Sequence, residues 1–208
     1  MLRLLIYLQR MDIKLKILIL ITGLISIYAK CKKECIRQDY VFKLGVKATP
    51  NLDSVLIGDT IWIDINESNT LTDIQTGKQI FFSNATNLSA EIGFQEVLSA
   101  TQFRNAASDF EIKLIFGNGI ASTNPQLLKE YILAEQNGRY ALKLGVIPKV
   151  VGVYRLVFVN AANVFRNNSN CENANFQYDF QNTNQHFYLY PGGAGTPPGG
   201  GAYYFKVK

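Results

Sequence analysis

Apolar and polar side chains alternate along most of the chain from residue 40 onward, and this period of two predicts β-strands. The clearest case is residues 60–65, where three isoleucines fall on one face and Trp62 and Asp64 fall on the other. The preceding Gly58-Asp59 pair predicts a turn or bulge. We therefore interpret Gly58, Asp59 and Trp62 as residues that shape a strand with one buried face.

Four further segments are predicted to form strands. Residues 40–48 place apolar side chains on one face and lysines on the other, and residues 110–116 repeat the pattern. Residues 150–160 form a longer apolar run, which is typical of a central strand covered on both faces. Residues 203–208 then close the chain as a strand along the edge of an earlier one.

Turn and helix signals divide these segments. The Asn137-Gly138 pair predicts a type I′ hairpin turn, because both residues tolerate the positive φ angles that this turn requires. The Asn124-Pro125 pair is the one helix start signal, and it predicts a helical turn or two through residue 130.

The last third of the chain is less regular. Residues 161–175 are rich in asparagine and predict a surface loop. Residues 176–180 and 186–190 alternate again, which predicts an extra late hairpin beyond the main sheets. Residues 191–201 are rich in glycine and proline and predict a flexible loop without the sequence of a phosphate-binding cradle.

Many short strands, little helix and regularly spaced turn signals predict an all-β fold, in which residues 39–208 form one antiparallel β-sandwich domain. Alternation by itself does not separate a sandwich from a barrel. Two motifs narrow the choice: Val55-x-x-Gly58-Asp-Thr60 resembles the turn into the B strand of immunoglobulin-like domains, and Gly152-x-Tyr154-x-Leu156 resembles the start of their F strand. The resemblance implies an immunoglobulin-like sandwich in which Tyr154 forms a tyrosine corner.

Residues 1–30 have the composition of a secretory signal peptide, since basic residues precede a short apolar run over residues 17–27. Because Met11 directly precedes the basic stretch, the signal starts either there or at the first residue. An uncleaved membrane anchor is the alternative, although charged residues interrupt the roughly 20 apolar residues that a span needs. A basic tether over residues 31–38 follows.

The distribution of charge excludes a basic footprint for nucleic acid. The formal net charge is +5, and residues 1–29 and 30–37 each contribute +3. Residues 38–208 therefore carry a net charge of −1.

The three cysteines leave two interpretations open. Cleavage after Ala29 would release a soluble protein, whereas Cys31 is a candidate lipidation site directly after the apolar run. Lys30 departs from the small residue expected before a lipidated cysteine. Lipidation of Cys31 would leave Cys35 and Cys171 as an even pair, and their disulfide would close a long loop worth about 3–5 kcal/mol.

A wider resemblance covers most of the chain. The basic leader, Cys31-Lys-Lys-Glu-Cys35, the segment from Asp53 to Trp62 and the late Cys171 resemble a group of uncharacterised exported, often lipidated proteins of Bacteroidota-type bacteria. The motifs that carry this resemblance are structural. The resemblance therefore implies export to the periplasm or anchoring to the outer membrane, and it implies no activity.

Candidate chemistry is sparse. The chain has no nucleophile elbow, its single histidine, His186, lies in an aromatic run, and we expect no cofactor and no metal. Four aspartates match no calcium-binding loop, and they are interpreted as solvated turn residues: Asp53, Asp59, Asp64 and Asp73. Glu91 and Glu96 would serve a hydrolase only if the fold brought them together.

The aromatic density between residues 176 and 205 is the main functional signal. Half of these rings should face away from the core, where they would stack on sugars or pack against a partner. The candidate ligand-binding residues are Tyr178, Tyr188, Tyr190 and Tyr204. The alternative is that the rings cover the small core of the late hairpin.

The sequence thus predicts a non-enzymatic interaction or structural module of the cell envelope. A carbohydrate-binding module that uses the aromatic residues of 176–205 is the first alternative, and a hydrolase is the second. The expected partner is an envelope protein or a glycan, and contact with a membrane is expected only through a lipid anchor.

Overall fold

The computed structural model describes residues 37–120, 128–167, 169–180, 185–192 and 201–208. Residues 37–208 belong to one compact unit. Within the described ranges, no helix is both long and apolar enough to cross a membrane. The described strands are β1 Gln38–Thr49, β2 Ser54–Val55, β3 Ile61–Ser68, β4 Thr70–Thr72, β5 Gln79–Phe81, β6 Ala85–Thr86, β7 Ser89–Val97, β8 Phe103–Asn105, β9 Phe110–Phe116, β10 Asn118–Ile120, β11 Leu128–Ile132, β12 Ala134–Gln136, β13 Arg139–Pro148, β14 Gly152–Val159, β15 Ala161–Arg166, β16 Ser169–Phe180 and β17 Ala202–Val207.

The first sheet has the strand order β12-β13-β3-β1-β16-β15-β6, with β9 also paired to β13. Its inner face follows the alternation in the sequence, because β1 buries Phe42, Leu44 and Val46 while Lys43 and Lys47 stay exposed. The predicted inner face of β3 is confirmed, since its three isoleucines are buried.

The second sheet has the order β10-β11-β7-β14-β17-β2, with β8 also paired to β7. Strand β14 lies inside this sheet and buries Tyr154, Leu156 and Phe158. A two-stranded ribbon of β4 and β5 completes the strand pairing.

Aromatic rings fill the core. Phe42 of β1 contacts Phe82 and Phe176, with ring centroids 5.4 Å apart in each pair. Elsewhere in the same core cluster, Phe110 packs against Tyr154 with centroids 4.9 Å apart. Because the buried faces of both sheets contribute to this one cluster, the fold is all-β and sandwich-like.

The prediction of a purely antiparallel sandwich is wrong, because both sheets are mixed. Strand β1 pairs in parallel with β16, which places Phe42 beside Phe176 and Val46 beside Phe180. Strand β17 pairs in parallel with β2. Alternation reveals which face of a strand is buried and not which strand lies beside it, so the sequence pattern did not show these pairs.

The sequence predicted a surface loop over the asparagine-rich residues 161–175, and this prediction is wrong. These residues form β15 and the first part of β16. Asn163 and Asn167 adopt positive φ angles of 56° and 52°. Asn163 sits where the register shifts, and its backbone N–H donates to the side chain of Asn175. Asparagine serves here at a bulge and a turn, because it tolerates the left-handed region better than most residues.

The predicted late hairpin is also wrong. Residues 176–180 end β16, whereas Phe187–Leu189 form a 3₁₀ turn that packs on β17. The loop predicted at 191–201 lies mostly outside the described residues.

The predicted hairpin at Asn137-Gly138 is confirmed, because β12 and β13 flank it and the two residues have φ angles of 51° and 71°. Part of the predicted helical turn at 124–130 is wrong, because residues 128–130 belong to β11. The rest of that turn lies outside the described part of the chain.

Candidate functional site

Two of the four candidate ligand-binding tyrosines are not available to a ligand. Tyr178 is 2% exposed, and its hydroxyl donates to the Ser89 carbonyl over 2.7 Å. Tyr204 is 1% exposed, because it faces outward from β17 under the 3₁₀ turn, where its ring contacts Phe187. Because both rings are buried, the prediction that Tyr178 and Tyr204 contact a ligand is wrong.

The other two candidates lie at the surface of the same region. Tyr190 is half-buried, stacks on Phe103 and donates its hydroxyl to the Ala100 carbonyl. Tyr188 is 59% exposed and donates to the Asp53 carboxylate. This hydrogen bond raises the pKa of Tyr188 and lowers the pKa of Asp53. Tyr188 is thus the one member of the predicted set that is open to solvent.

The predicted structural residues occupy turns and corners. Gly58 has a φ of 87°, and the Asp59 carboxylate accepts the Leu56 N–H within the same turn. The buried Tyr154 hydroxyl donates to the Val150 carbonyl over 3.1 Å and lies 3.3 Å from an Asp109 carboxylate oxygen. Burial, together with the negative charge of Asp109, raises the pKa of Tyr154 to about 12.

The candidate lipidation and disulfide residues Cys31 and Cys35 lie outside the described residues. Cys171 is half-buried in β16. The parallel register places Glu172 beside Gln38, so Cys171 lies next to the point where the chain runs into β1. The pairing of Cys35 with Cys171 stays a prediction.

Trp62, which the sequence indicated only as a structural residue, marks a different candidate site. It lies in β3 on the outer face of the first sheet, directly opposite Gly145 of β13. A Cβ atom on Gly145 would lie only 3.1 Å from Trp62 Cζ3 and 3.5 Å from Cε3. The ring therefore leans across β13 where glycine leaves room for it, and it remains half-buried.

Charged side chains flank this ring. The Lys143 ammonium lies over the indole at 5.6 Å from the ring centroid. Asp64 is the cross-strand neighbour of both Lys47 and Lys143. Among the residues that the structure describes, neither lysine has a carboxylate within ion-pair distance. Two cations and one carboxylate thus stand beside an aromatic ring without fixed ionic partners.

A groove of about 370 Å³ borders these groups. Residues from β3, β9, β12 and β13 line it, and Asp64 and Lys143 place it next to Trp62. Its lining includes Asp64, Asn66, Ile115, Phe116, Gln136, Arg139 and Lys143. We call this surface, together with Trp62 and Lys47, the Trp62 groove. It combines an aromatic ring, an apolar wall, amide groups and cations, which suits binding of an extended polar ligand.

The fold does not bring Glu91 and Glu96 together as a pair. Glu91 and Glu96 lie five positions apart on β7, so their side chains leave the strand on opposite faces. Glu96 accepts a hydrogen bond from Arg104, which also donates to Asp109. In the described part of the chain, no group of three or more His, Cys, Asp or Glu side chains could hold a metal ion. His186 is buried, with Nδ1 3.0 Å from the Tyr204 carbonyl.

Sequence reasoning missed the Trp62 groove for a definable reason. The alternation in β3 showed that Trp62 points away from the core. It did not show that β13 lies beside β3 with a glycine opposite the ring, because that pairing joins residues more than eighty positions apart. The usable signal was a large aromatic residue on the polar face of a strand.

No protein-family model and no curated protein matches the sequence. Among solved structures, the chain is similar to the crystal structure of the CupB6 tip adhesin from Pseudomonas aeruginosa, with 16% sequence identity and a TM-score of 0.22. The similarity covers 73% of this chain and 43% of that chain, so this chain spans less than half of the adhesin's length. A likeness at this level carries no argument about function.

Proposed function

We propose that the protein is a non-enzymatic binding module of the cell envelope that holds an acidic glycan in the Trp62 groove. The observation that carries the proposal is the Trp62 ring laid across Gly145, with Lys143 over the ring and Lys47 on the neighbouring strand. This modifies the carbohydrate-binding alternative from the sequence, because the binding aromatic residue is Trp62 and not a tyrosine of residues 176–205.

The flat ring supports a sugar ligand. The face of an indole carries negative charge density, and the C–H groups on one face of a pyranose ring carry partial positive charge, so the two surfaces stack. Asn66 and Gln136 line the adjacent groove. The Asn66 Oδ1 already accepts from Arg139 Nε, so the Asn66 N–H groups and the Gln136 amide are the groups offered to sugar hydroxyls. Because the groove is open along the sheet face, it suits a chain of sugars better than a single enclosed one.

The charges support an acidic sugar. Lys43 lies 3.3 Å from Asp179 and Lys113 lies 3.6 Å from Glu111, so these cations on the outer face already have partners. Lys47 and Lys143 share only Asp64 as a cross-strand neighbour. This leaves a local excess of positive charge on a domain that is otherwise slightly negative, and a carboxylate or sulfate group would complement it.

Cellular placement completes the proposal. The signal peptide of residues 1–30 would export the chain, and either cleavage after Ala29 or lipidation of Cys31 would place it in the periplasm or on the outer membrane.

We also propose that the sandwich is immunoglobulin-like. The hydrogen bond from the Tyr154 hydroxyl to a carbonyl four residues upstream supports this, because tyrosine corners have such a bond.

The binding test uses the full chain, purified from the host that exports it, and a panel of uronate-containing, sialylated and sulfated oligosaccharides measured by titration calorimetry. An oligogalacturonate and its methyl ester form a matched pair that differs only in charge. We expect Trp62→Ala to weaken binding of the acidic ligand about tenfold or more, and Lys143→Gln to weaken it about three- to tenfold. The esterified ligand should not respond to Lys143→Gln.

The control variant is Tyr188→Ala, which removes an exposed aromatic ring outside the groove. It should leave glycan affinity unchanged. Oligothymidylate serves as a second control, because it combines negative charge with bases that stack. The proposal fails if no acidic glycan binds, if Trp62→Ala binds as the wild type does, or if oligothymidylate binds more tightly than every glycan.

A further inference from the structure

In the described part of the chain, strand β9 lies at one edge of the first sheet. Its seven residues, Phe110–Phe116, pair with β13 on one side. On its other side, no strand from the described ranges pairs with it. Unpaired backbone N–H and C=O groups along such an edge are a template for another strand.

Five of the seven side chains of β9 are apolar. Leu114 is 39% exposed and Ile115 is 55% exposed, although both are apolar. Glu111 and Lys113 are each 56% exposed on the outer face, where they form an ion pair at 3.6 Å within the strand, and they are the only charged residues in it. Pairing with a second copy would extend this pair into a network of four alternating charges. Edges that avoid pairing carry proline, an inward-pointing charge, exposed lysine or a bulge. Neither of the first two occurs in β9, Lys113 lies beside Glu111, and the register irregularity falls at Ile115, so residues 110–114 remain a regular strand segment.

The sequence of β9 is complementary to itself in one antiparallel register. Residues opposite each other in antiparallel strands must share a face, so the twofold axis has to pass through a residue pair such as Ile112 with Ile112 of a second copy. This register places Glu111 opposite Lys113 and Phe110 opposite Leu114 of the second copy. Registers centred on Glu111 or on Lys113 would instead place like charges opposite each other, which is unfavourable.

We propose that two copies of the chain pair antiparallel through β9, with the twofold axis at Ile112, and so join their first sheets into one continuous sheet. Two Glu111–Lys113 pairs close the outer face, and an apolar ladder of Phe110, Ile112 and Leu114 closes the inner face. The interface is isologous, so it closes at the dimer and does not propagate.

The dimer has a consequence for the Trp62 groove. Ile115 and Phe116 of β9 form part of the groove lining. Pairing through β9 therefore brings two grooves onto one sheet face, where a long polymer could occupy both and gain avidity. The pairing itself rests on β9 alone and does not depend on the ligand of the groove.

Sedimentation analysis of the full chain over a range of concentrations tests the pairing. We expect a dimer for the wild type and a dimer about tenfold weaker for Glu111→Lys or Lys113→Glu alone, since each creates like-charge pairs across the axis. The double variant Glu111→Lys/Lys113→Glu should recover the wild-type affinity, because it exchanges the charges. Glu111 and Lys113 are exposed in each copy, so we expect these substitutions to leave the fold intact. Circular dichroism checks this.

The matched control is Lys43→Glu, which reverses an equally exposed charge on the same sheet face outside β9. It should leave the dimer unchanged. Hydrogen exchange adds a second readout, because outward-facing amides of β9 should gain protection as the concentration rises. Three outcomes would overturn the proposal. The first is a monomer at all concentrations, and the second is a dimer that neither charge reversal weakens. The third is equal protection of the β9 amides at every concentration, which would mean that another segment of the same chain covers them.

Discussion

The aromatic residues differ in exposure between the outer face of the first sheet and the segment from residue 176 to residue 205. The segment is dense in rings, yet Phe176, Tyr178 and Tyr203 are buried in the core. The first sheet's outer face carries the chain's single tryptophan, and that ring is partly open to solvent. Aromatic density along the sequence therefore indicated where the core is, whereas one isolated ring marks the candidate binding surface.

Covering elements explain the difference. On the second sheet, the 3₁₀ turn Phe187–Leu189 lies over the outward-facing Tyr204, and a small apolar cluster forms between them. On the first sheet, Trp62 lies over Gly145, and no element from the described ranges forms a comparable cluster over it. Exposure is thus decided by what packs on a face and not by alternation alone.

The largest expected effects come from removing one aromatic ring from each region and measuring stability and glycan binding. Phe176→Ala should lower the free energy of unfolding by about 3–5 kcal/mol, because it removes a buried ring that contacts Phe42, Phe82 and Tyr140. The folded fraction should keep its glycan affinity. Trp62→Ala should show the reverse, with a loss of about 1 kcal/mol in stability and a large loss of binding. Urea unfolding followed by calorimetry measures both quantities, and equal stability losses would refute the comparison.

A smaller effect is expected at the tyrosine corner. Tyr154→Phe removes the hydroxyl that donates to the Val150 carbonyl, and it should destabilise the fold by about 1–2 kcal/mol. Its pKa is about 12 in the folded protein and near 10 in an unfolded chain, so stability is full below pH 10 and falls as the pH rises toward 12.

Urea unfolding at several alkaline pH values measures this dependence. The variant should lose stability less steeply than the wild type above pH 10, while Tyr203, whose pKa is also raised to about 12, keeps part of the slope. An unchanged slope would show that the Tyr154 hydroxyl does not contribute.

The turn after β4 should respond to acid. The Thr76 hydroxyl and the Val41 N–H both donate to the Asp73 carboxylate, and these hydrogen bonds lower its pKa. The stabilisation is therefore present above about pH 4 and is lost as the pH falls further. Asp73→Asn should cost about 1 kcal/mol at neutral pH and flatten the acid limb of the stability profile. Thermal unfolding between acidic and neutral pH checks this, with Asp59→Asn in an exposed turn as the control.

The smallest effect is expected at the exposed tyrosine of the late segment. Tyr188→Phe removes a hydrogen bond to Asp53 at the surface, and it should change the free energy of unfolding by less than about 0.5 kcal/mol. A loss above 1 kcal/mol would mean that residues 185–192 are held more tightly than their exposure indicates, and would weaken the contrast with the buried rings.

Local signals in the sequence predicted much of the fold. The alternation in β1 and β3 identified their buried faces, and the Asn137-Gly138 pair identified a hairpin, because these features depend on neighbouring residues and on backbone φ preferences. The asparagine-rich segment misled the prediction. Its residues were interpreted as a loop by composition, although Asn163 supports a bulge inside a strand pair.

The sequence by itself predicted an all-β domain over residues 39–208, because a period of two with regular turns satisfies backbone hydrogen bonds and buries one side of each strand. Tertiary structure alone decided the parallel pairing of β1 with β16, the cover over Tyr204 and the placement of Trp62 across Gly145. The physical reason is the same in each case. These features depend on which distant strands become neighbours, and this choice is made by the packing of the whole core and not by any short segment.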